Sequence, residues 1–463
     1  MTRGAPPRRP RAADVRAATA FLLTAALVLA GCTGDGADGG GKGSAKPPTD
    51  TTCDGRIKGT SQITVWYHSP TARGELATLR AQVRRFNTSQ RDVRVNLMTL
   101  PDGDYDTEVR AAATGGALPD LLDFDAPKLF GYAWAGRLRP LGSCLPDALR
   151  ADLLPSILQQ GTYAGRLWGI GTFDSGLGLY IRPSVLKKAG IRIPQGTADA
   201  WTADEFTDIL RKLREEGYEA PLDLGLRYST PGAEWNTYGF APAVWSAGGD
   251  LIDPKNHRTA DGHLNGADSV RALTTLRKWV EAGLVDPGED DTAFAAGRSP
   301  ISWSGHWRWR EYAKAFPGDM TIVPLPDFGH GTVTGMGSWQ WGVPATSVDP
   351  DAVWRFLAFL LSPDEVVRMT DVNGAIPATR TAIERTAQFR GAGPERLYIE
   401  QLQNGTARPR PRTPAYGAVT DAFSRAFAKI VLDRAPVKPT LDRAVAAIDK
   451  DLADHQYYPP TGR

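Results

Sequence analysis

Cysteine and histidine are scarce here. Three cysteines and six histidines are spread over 463 residues with no spacing that could assemble a metal site. Neither sign of charge dominates, with 54 Lys and Arg against 52 Asp and Glu. No basic patch interleaves with aromatics, so the field and stacking surface that nucleic acid needs are missing. Catalytic signatures are missing as well: there is no Gly-x-Ser-x-Gly elbow, no His-Glu-x-x-His and no phosphate-binding Gly-Lys-Ser/Thr loop. Ser184 to Lys187 matches Ser-x-x-Lys but lacks the companion Ser-Asp-Asn and Lys-Thr-Gly of serine acylases. Asp102, Asp104 and Asp106 open like a calcium loop, yet Thr107 stands where glycine is required and Ala113 where glutamate is. No metal and no cofactor are expected. After residue 31 no apolar run is long enough to span a bilayer.

The apolar run that does occur, Ala17 to Ala30, follows five arginines between Arg3 and Arg16 and ends in Leu29-Ala30-Gly31-Cys32. A basic start, a short apolar middle and small residues at the cut describe a signal peptide, residues 1–31. The last four residues resemble a bacterial lipobox, in which the cysteine is acylated, with palmitate among the usual chains, and becomes the new N-terminus. An ordinary signal peptide or a signal anchor is the alternative. Removing residues 1–31 takes five Arg and one Asp and turns the formal charge of +2 into about −2. Residues 32–52 are Gly, Asp, Ser, Lys and Pro with almost no apolar side chain, the composition of a flexible linker. The chain is therefore expected on the extracytoplasmic face of the cell membrane, held by lipid on Cys32. Outside the cell Cys53 and Cys144 meet oxidising conditions, and a disulfide between them is expected over two free thiols.

About 410 residues after the linker exceed one ordinary core, so two lobes or more are expected. Ser61 to Tyr67 reads as a strand. Glu75 to Asn87 reads as an amphipathic helix with Leu76, Leu79, Val83 and Phe86 on one face. Val93 to Leu100, Asp106 to Thr114 and Pro119 to Phe124 continue as strand, helix and strand, which implies α/β architecture with mostly parallel sheets. Further helices are expected at Ala203 to Glu216, Ala267 to Ala282, Asp349 to Leu361, Ala415 to Asp433 and Thr440 to Asp451. Thr202 and Glu205 have the spacing of a capping box. The Arg-Pro run from Arg408 to Arg412 reads as a solvated linker.

Several segments, in order, resemble bacterial extracellular solute-binding proteins of the sugar-transport, maltose-binding-like type. They are Ile63 to Trp66; Ala111 to Asp120 (AAATGGALPD); Tyr163 to Ile170 leading into Leu179-Tyr180; Lys187 to Ile191; and Trp201 to Phe206. Ala247 to Gly249, Phe294 to Arg298, Pro324 to Pro326 and Leu357 to Glu365 continue the series, with Arg182 where the family usually has Asn. The resemblance covers the chain from about Ser61 onward. It implies a two-lobed periplasmic-binding-protein-like fold with a ligand cleft between lobes and three hinge crossings. By position these fall near Gly171 to Ser175, Gly335 to Gly342 and Gln403 to Thr413. The first lobe is then residues 53–172 and 342–402, the second 173–341 and 403–463. The glycines of the first two crossings, and Gly405 with its neighbouring prolines, suit segments that absorb rotation.

The implied function is capture of a carbohydrate, mono- or oligosaccharide, for the membrane permease of an ABC transporter, by a protein that acts as a monomer and makes or breaks no bond. Sugars offer apolar C–H faces and a rim of hydroxyls, so their sites combine aromatic platforms with polar groups. Trp303, Trp307, Trp309, Trp339 and Trp341 fall close together, some of them necessarily core. Trp307, aligned with the family's Gly-x-Trp segment, is the leading platform, followed by Trp235 on a loop before a helix. Trp339 and Trp341 share one face of an extended segment, so one is expected to pack and the other to reach the hinge mouth. Trp66 is expected in the core. His68 and Ser69, just past the first strand, and Asp125, at the end of another, sit where open α/β sheets bind ligands. Asp174 is expected to face the cleft from the first crossing, and Tyr416 to meet the ligand from the helix after the third.

Two other functions fit the same residues: a ligand-binding sensor without a permease, and a lipid-anchored glycosidase, which would need two carboxylates about 5–10 Å apart across a sugar. The anchor is tested by Cys32→Ser, which is expected to release unacylated protein from the membrane fraction; full retention would remove the lipobox assignment.

Overall fold

The computed structural model describes residues 53–57, 59–69 and 74–459, without the side chains of 69 and 102–104. The leader, Cys32 and the linker lie outside the described residues. Among these, no helix is long and apolar enough to cross a membrane.

The first lobe is built on the strand Ser61–Ser69, whose β-branched and aromatic run suits a buried pleated surface. It pairs in parallel with Val93–Pro101 on one side and Leu121–Asp125 on the other. The sheet continues antiparallel through Trp339–Gly342 to Gly169–Ile170. Alternation divides its faces. Ile63, Val65 and Tyr67 join the core formed with helices Glu75–Ser89 and Pro350–Leu360, while Trp66 lies against a cluster of Tyr105, Phe124, Leu129 and Phe130. Helix Glu75–Ser89 buries Leu79, Val83 and Phe86, the stripe its periodicity predicts. Cys53 and Cys144 are joined in a disulfide that ties the first described residues to this lobe.

The second lobe carries a four-stranded sheet in the order Thr321–Val323, Leu177–Ile181, Ile301–Gly305, Leu222–Asp223, in which only the last pair is parallel. Mostly parallel sheets were expected, and both sheets instead mix senses. Trp339–Gly342 enters the first sheet on its return from the second lobe, so its direction follows that path and not a strand-helix-strand unit. Helices Ala203–Glu215, Ala267–Glu281, Tyr416–Val431 and Val437–Asp454 cover the second sheet close to their predicted limits. Thr202 accepts the Glu205 N–H at 3.1 Å, but the Glu205 carboxylate is held by Arg192, so only half of the capping box forms. Helix Glu234–Ser246 escaped periodicity because it is buried continuously from Asn236 to Ser246 and has no polar face.

The crossings are stitched to one another and to the segment that follows the second. Thr334–Met336 pairs in parallel with Ala407–Pro409, and Phe173–Asp174 pairs antiparallel with Ile376–Pro377. Gly171 is required by close approach and not by rotational freedom: a Cβ there would sit 2.8 Å from the Gln340 amide nitrogen and 3.1 Å from the Trp339 carbonyl oxygen. Two limits differ from expectation. Trp339 to Trp341, assigned to the second lobe, pair into the first sheet. Residues 374–402, assigned to the first, straddle both. Thr381 bonds to Asp152 of the first lobe, whereas Leu397, Tyr398 and Ile399 pack with Tyr180, Phe294 and Ile322 of the second. That apolar demand, invisible in a local window, decides the boundary.

Glu395 starts helix Arg396–Gln403 within this straddling segment. It is fully buried, and neither carboxyl oxygen has a hydrogen-bond partner among the described residues. Burial pushes its carboxyl well above the usual range, only partly offset by Arg310. The folded chain therefore holds this proton more tightly than the unfolded chain, whose glutamate titrates near about 4.3. The stability gained is complete below that pH and is lost as pH rises through the folded value. Glu395→Gln should accordingly raise the unfolding free energy by about 1–3 kcal/mol at about pH 8, with the gap closing toward about pH 4. Calorimetric melts across that range check it, and a gap independent of pH would show that the carboxyl does not titrate there.

Candidate functional site

The strand ends of the first lobe set out one half of the site. His68, only 3% exposed, places Nδ1 2.5 Å from Asp123 Oδ2, and its backbone N–H donates to the other oxygen of the same carboxylate. Its ring stacks on Trp339, with centroids 3.4 Å apart and planes 5° from parallel. Trp339 is half-buried, while Trp341, two residues on, is buried and stacked on Tyr67. Of this pair Trp341 is thus the packed member, while Trp339 is packed on one side and partly exposed. A narrow pocket adjoins the stack, lined in part by Tyr67, Asp123, Phe173 and both tryptophans. Ser69 ends the strand opposite Pro101, and its side chain is not described.

The second lobe supplies a tryptophan pair. Trp235 and Trp307 meet edge to face at 6.0 Å and 86°, and both are half-buried. Trp235 does not lie on a loop. It is in the first turn of Glu234–Ser246, with its indole N–H on the Leu224 carbonyl at 3.2 Å. Trp307 lies so close over Gly305 that a Cβ there would come within 2.2 Å of the indole, so only glycine fits. Trp303 is core, donating to the Gly239 carbonyl, and Trp309 packs in the straddling cluster.

Between the halves stands Arg410, 4% exposed, on the third crossing. Its guanidinium takes both oxygens of Asp125, from the first lobe, at 2.6 Å each, and Glu234 Oε1, from the second, at 2.6 Å. Tyr238 and Tyr416 of the second lobe lie against it, 4.8 and 6.0 Å from ring centre to guanidinium carbon. Tyr416 donates its hydroxyl to Glu234 Oε1, and Thr420 donates to Oε2 at 2.8 Å. Burial pushes the Tyr416 phenol well up, with Glu234 adding to the effect, so it remains a donor. The reading of Arg408 to Arg412 as a solvated linker is corrected here: Arg410 is paired with Asp125, 285 positions away, and Arg408 with Asp250. Tyr416 is itself 1% exposed and acts through Glu234.

Asp174 does not open toward a cleft either. Fully buried, it accepts from Gln160 Nε2 at 3.1 Å, from the Ser175 N–H at 2.8 Å and from the Gly337 N–H at 3.1 Å. It thus pins the first crossing to the second. Burial raises its carboxyl, and the hydrogen bonds oppose that. Across the lobes, buried His306 keeps a neutral ring, its pKa lowered by burial to about 4. Its Nδ1 lies 2.9 Å from the Asn373 carbonyl oxygen, which can only accept, so Nδ1 carries the proton. Among the described residues no three His, Cys, Asp or Glu side chains converge as a metal site requires. Sequence reasoning missed Arg410 and Glu234; the available signals were a cation fixed between two prolines and an acid next to an already suspected tryptophan.

Comparison with known proteins agrees with this architecture. The sequence profile of the family described as bacterial extracellular solute-binding protein matches residues 70–367. A probable ABC transporter-binding protein of Deinococcus radiodurans is 25% identical over 339 residues, 69% of this chain and 76% of that one. Among solved structures, the GacH receptor of Streptomyces glaucescens, studied unliganded and with acarbose, superposes with a TM-score of 0.73 at 22% identity, covering 86% of this chain and all of that one. The cyclic alpha-maltosyl-1,6-maltose binding protein of Arthrobacter globiformis gives a TM-score of 0.69 at 25% identity, covering 86% of this chain and 100% of that one.

Asp174→Ala leaves three buried donors without an acceptor and should cost about 3 kcal/mol. Urea unfolding checks this; an unchanged midpoint would mean that the crossings do not depend on the carboxylate.

Proposed function

This chain belongs to the bacterial extracellular solute-binding protein family, and we propose that it captures a carbohydrate in its interlobe cleft for the permease of an ABC importer. In this reading it works as a monomer on the outer face of the cell membrane, tethered through lipid on Cys32, and releases its ligand unaltered. The observation that carries the proposal is the partly exposed aromatic surface on both lobes, Trp339 on the first and Trp307 with Trp235 on the second, beside a polar cluster. Sugar rings present apolar C–H faces to such platforms and hydroxyls to the polar rim. Acarbose in the GacH receptor supports the ligand class. His68 and Asp125 supply the polar rim of the first lobe, with Ser69 beside them. Asp174 and Tyr416 hold the rim in place.

The Asp125–Arg410–Glu234 cluster sets two carboxylates against one guanidinium, and Glu234 keeps 29% of its side chain exposed.

Tryptophan fluorescence and melting of residues 33–463 against mono- and oligosaccharides, with amino acids and peptides as controls, test the reading. One sugar class should change the spectrum and raise the melting temperature, since a ligand of the folded state alone stabilises it. Trp307→Ala should weaken that affinity at least about tenfold, roughly 1.4 kcal/mol, with the melt retained. Unchanged affinity removes Trp307 from the site. Silence across the panel overturns the carbohydrate assignment, and turnover of a sugar would make the protein a glycosidase.

A further inference from the structure

Arg410 spends its donors on both lobes while belonging to neither sheet. Its strand neighbours, Ala407–Pro409, pair with the second crossing, and Pro409 and Pro411 flank it, restricting the backbone from which the side chain projects. The bidentate grip on Asp125 fixes it to the first lobe. Glu234, Tyr238 and Tyr416 fix it to the second. Its Nε is buried without a partner among the described residues, and Arg410 lines a narrow pocket shared with Gln160 and Gly337. Gln160 has turned its amide nitrogen to Asp174, so its oxygen is also buried without a partner. The guanidinium is thus held by the two lobes and not by the crossing on which it sits.

We propose that Arg410 is the positioning residue that sets the spacing of the two lobes before any ligand arrives, by drawing Asp125 and Glu234 onto one guanidinium. This deepens the carbohydrate reading and rests on it only for the consequence in affinity. A lobe pair already drawn together leaves less of the closing free energy to the ligand. A ligand whose receptive state is less populated binds more weakly in proportion to that population. A planar fork can hold Asp125 bidentately and still reach Glu234, and a lysine ammonium cannot reproduce that geometry.

The test uses residues 33–463 as wild type, Arg410→Lys, Arg410→Met and Glu234→Gln. The first readout is the radius of gyration from small-angle X-ray scattering without sugar. The second is affinity for maltotriose, or for whichever sugar the panel identifies. Arg410→Lys and Glu234→Gln should melt cooperatively, show a larger radius of gyration than wild type without sugar, and return to the wild-type radius at saturation. Affinity should fall about tenfold. If Arg410→Met does not fold, the other two variants decide the matter. An unchanged radius in folded Arg410→Lys and Glu234→Gln overturns the proposal and leaves the cluster a purely stabilising one. Because scattering is read without sugar, failure of the carbohydrate assignment would leave this result intact. Sugar binding with unchanged scattering would sink this proposal alone.

Discussion

A cation buried between carboxylates from two different lobes is the constraint that the rest of this molecule accommodates. Taking Arg410 and its partners out of water costs several kcal/mol per ion, which attraction returns only when geometry is good and the remaining donors are used. Here Nη1 donates to both Asp125 and Glu234, Nη2 donates to Asp125 and Thr420 takes the other Glu234 oxygen, while Nε is left without a partner among the described residues. Loss of one partner from such a cluster costs about 3–5 kcal/mol, yet replacing a whole cluster by apolar groups can be neutral. The arrangement is therefore better understood as selecting one interlobe geometry than as a source of stability. A polar cluster that can be satisfied in only one way excludes the others.

The hinge around it is less free than its glycines suggest. A crossing that rotated alone would break a pairing: Thr334–Met336 with Ala407–Pro409, Phe173–Asp174 with Ile376–Pro377 of the straddling segment, and Gly337 with Asp174. These segments move as one braid or hardly at all. The contacts left to change are those that touch both lobes from outside the braid. They include the His306–Asn373 bond, the Trp134 indole on the Pro459 carbonyl and the straddling apolar cluster. Their composition matters. His306 is neutral and Glu395 favours its proton, so these interlobe contacts are short-range and weakly screened, whereas the Arg410 cluster carries charge.

How much of this was legible in sequence follows from the range of each interaction. Elements governed by neighbours within a few residues were readable: the stripe of Leu79, Val83 and Phe86, the Thr202 cap, and the pairing of Trp341 in the core with Trp339 half-buried. The family resemblance carried the two-lobed fold. What depended on distant partners was not readable. Arg410 looks like one more solvated arginine until Asp125 is brought to it across 285 positions. Asp174 and Tyr416 were expected to face the ligand, and only the packing shows that both are buried, Asp174 against the Gly337 N–H and Tyr416 against Glu234. Helix Glu234–Ser246 has no exposed face to write a period into the sequence, and that is why Trp235 looked like a loop residue and Glu234 went unnoticed.

In the proposed reading, with Trp307 and Trp339 as the platforms, each lobe arrives with its half of the site already built. Trp307 is held by Trp235, Tyr238, His306 and the glycine beneath it, all in the second lobe. Trp339 is held by His68 in the first. Neither ring must search for its orientation, so the ordering cost that usually accompanies binding by large side chains has been met during folding. What folding within one lobe cannot set is the offset between the two platforms. Sugars share nearly the same C–H faces and hydroxyls, and rigid platforms of this kind would receive many of them equally well. Discrimination must then come from the distance and angle at which the second platform meets a ring already seated on the first. That quantity belongs to the hinge braid and to the guanidinium between the lobes, so the groups that select the ligand need not be the ones that touch it.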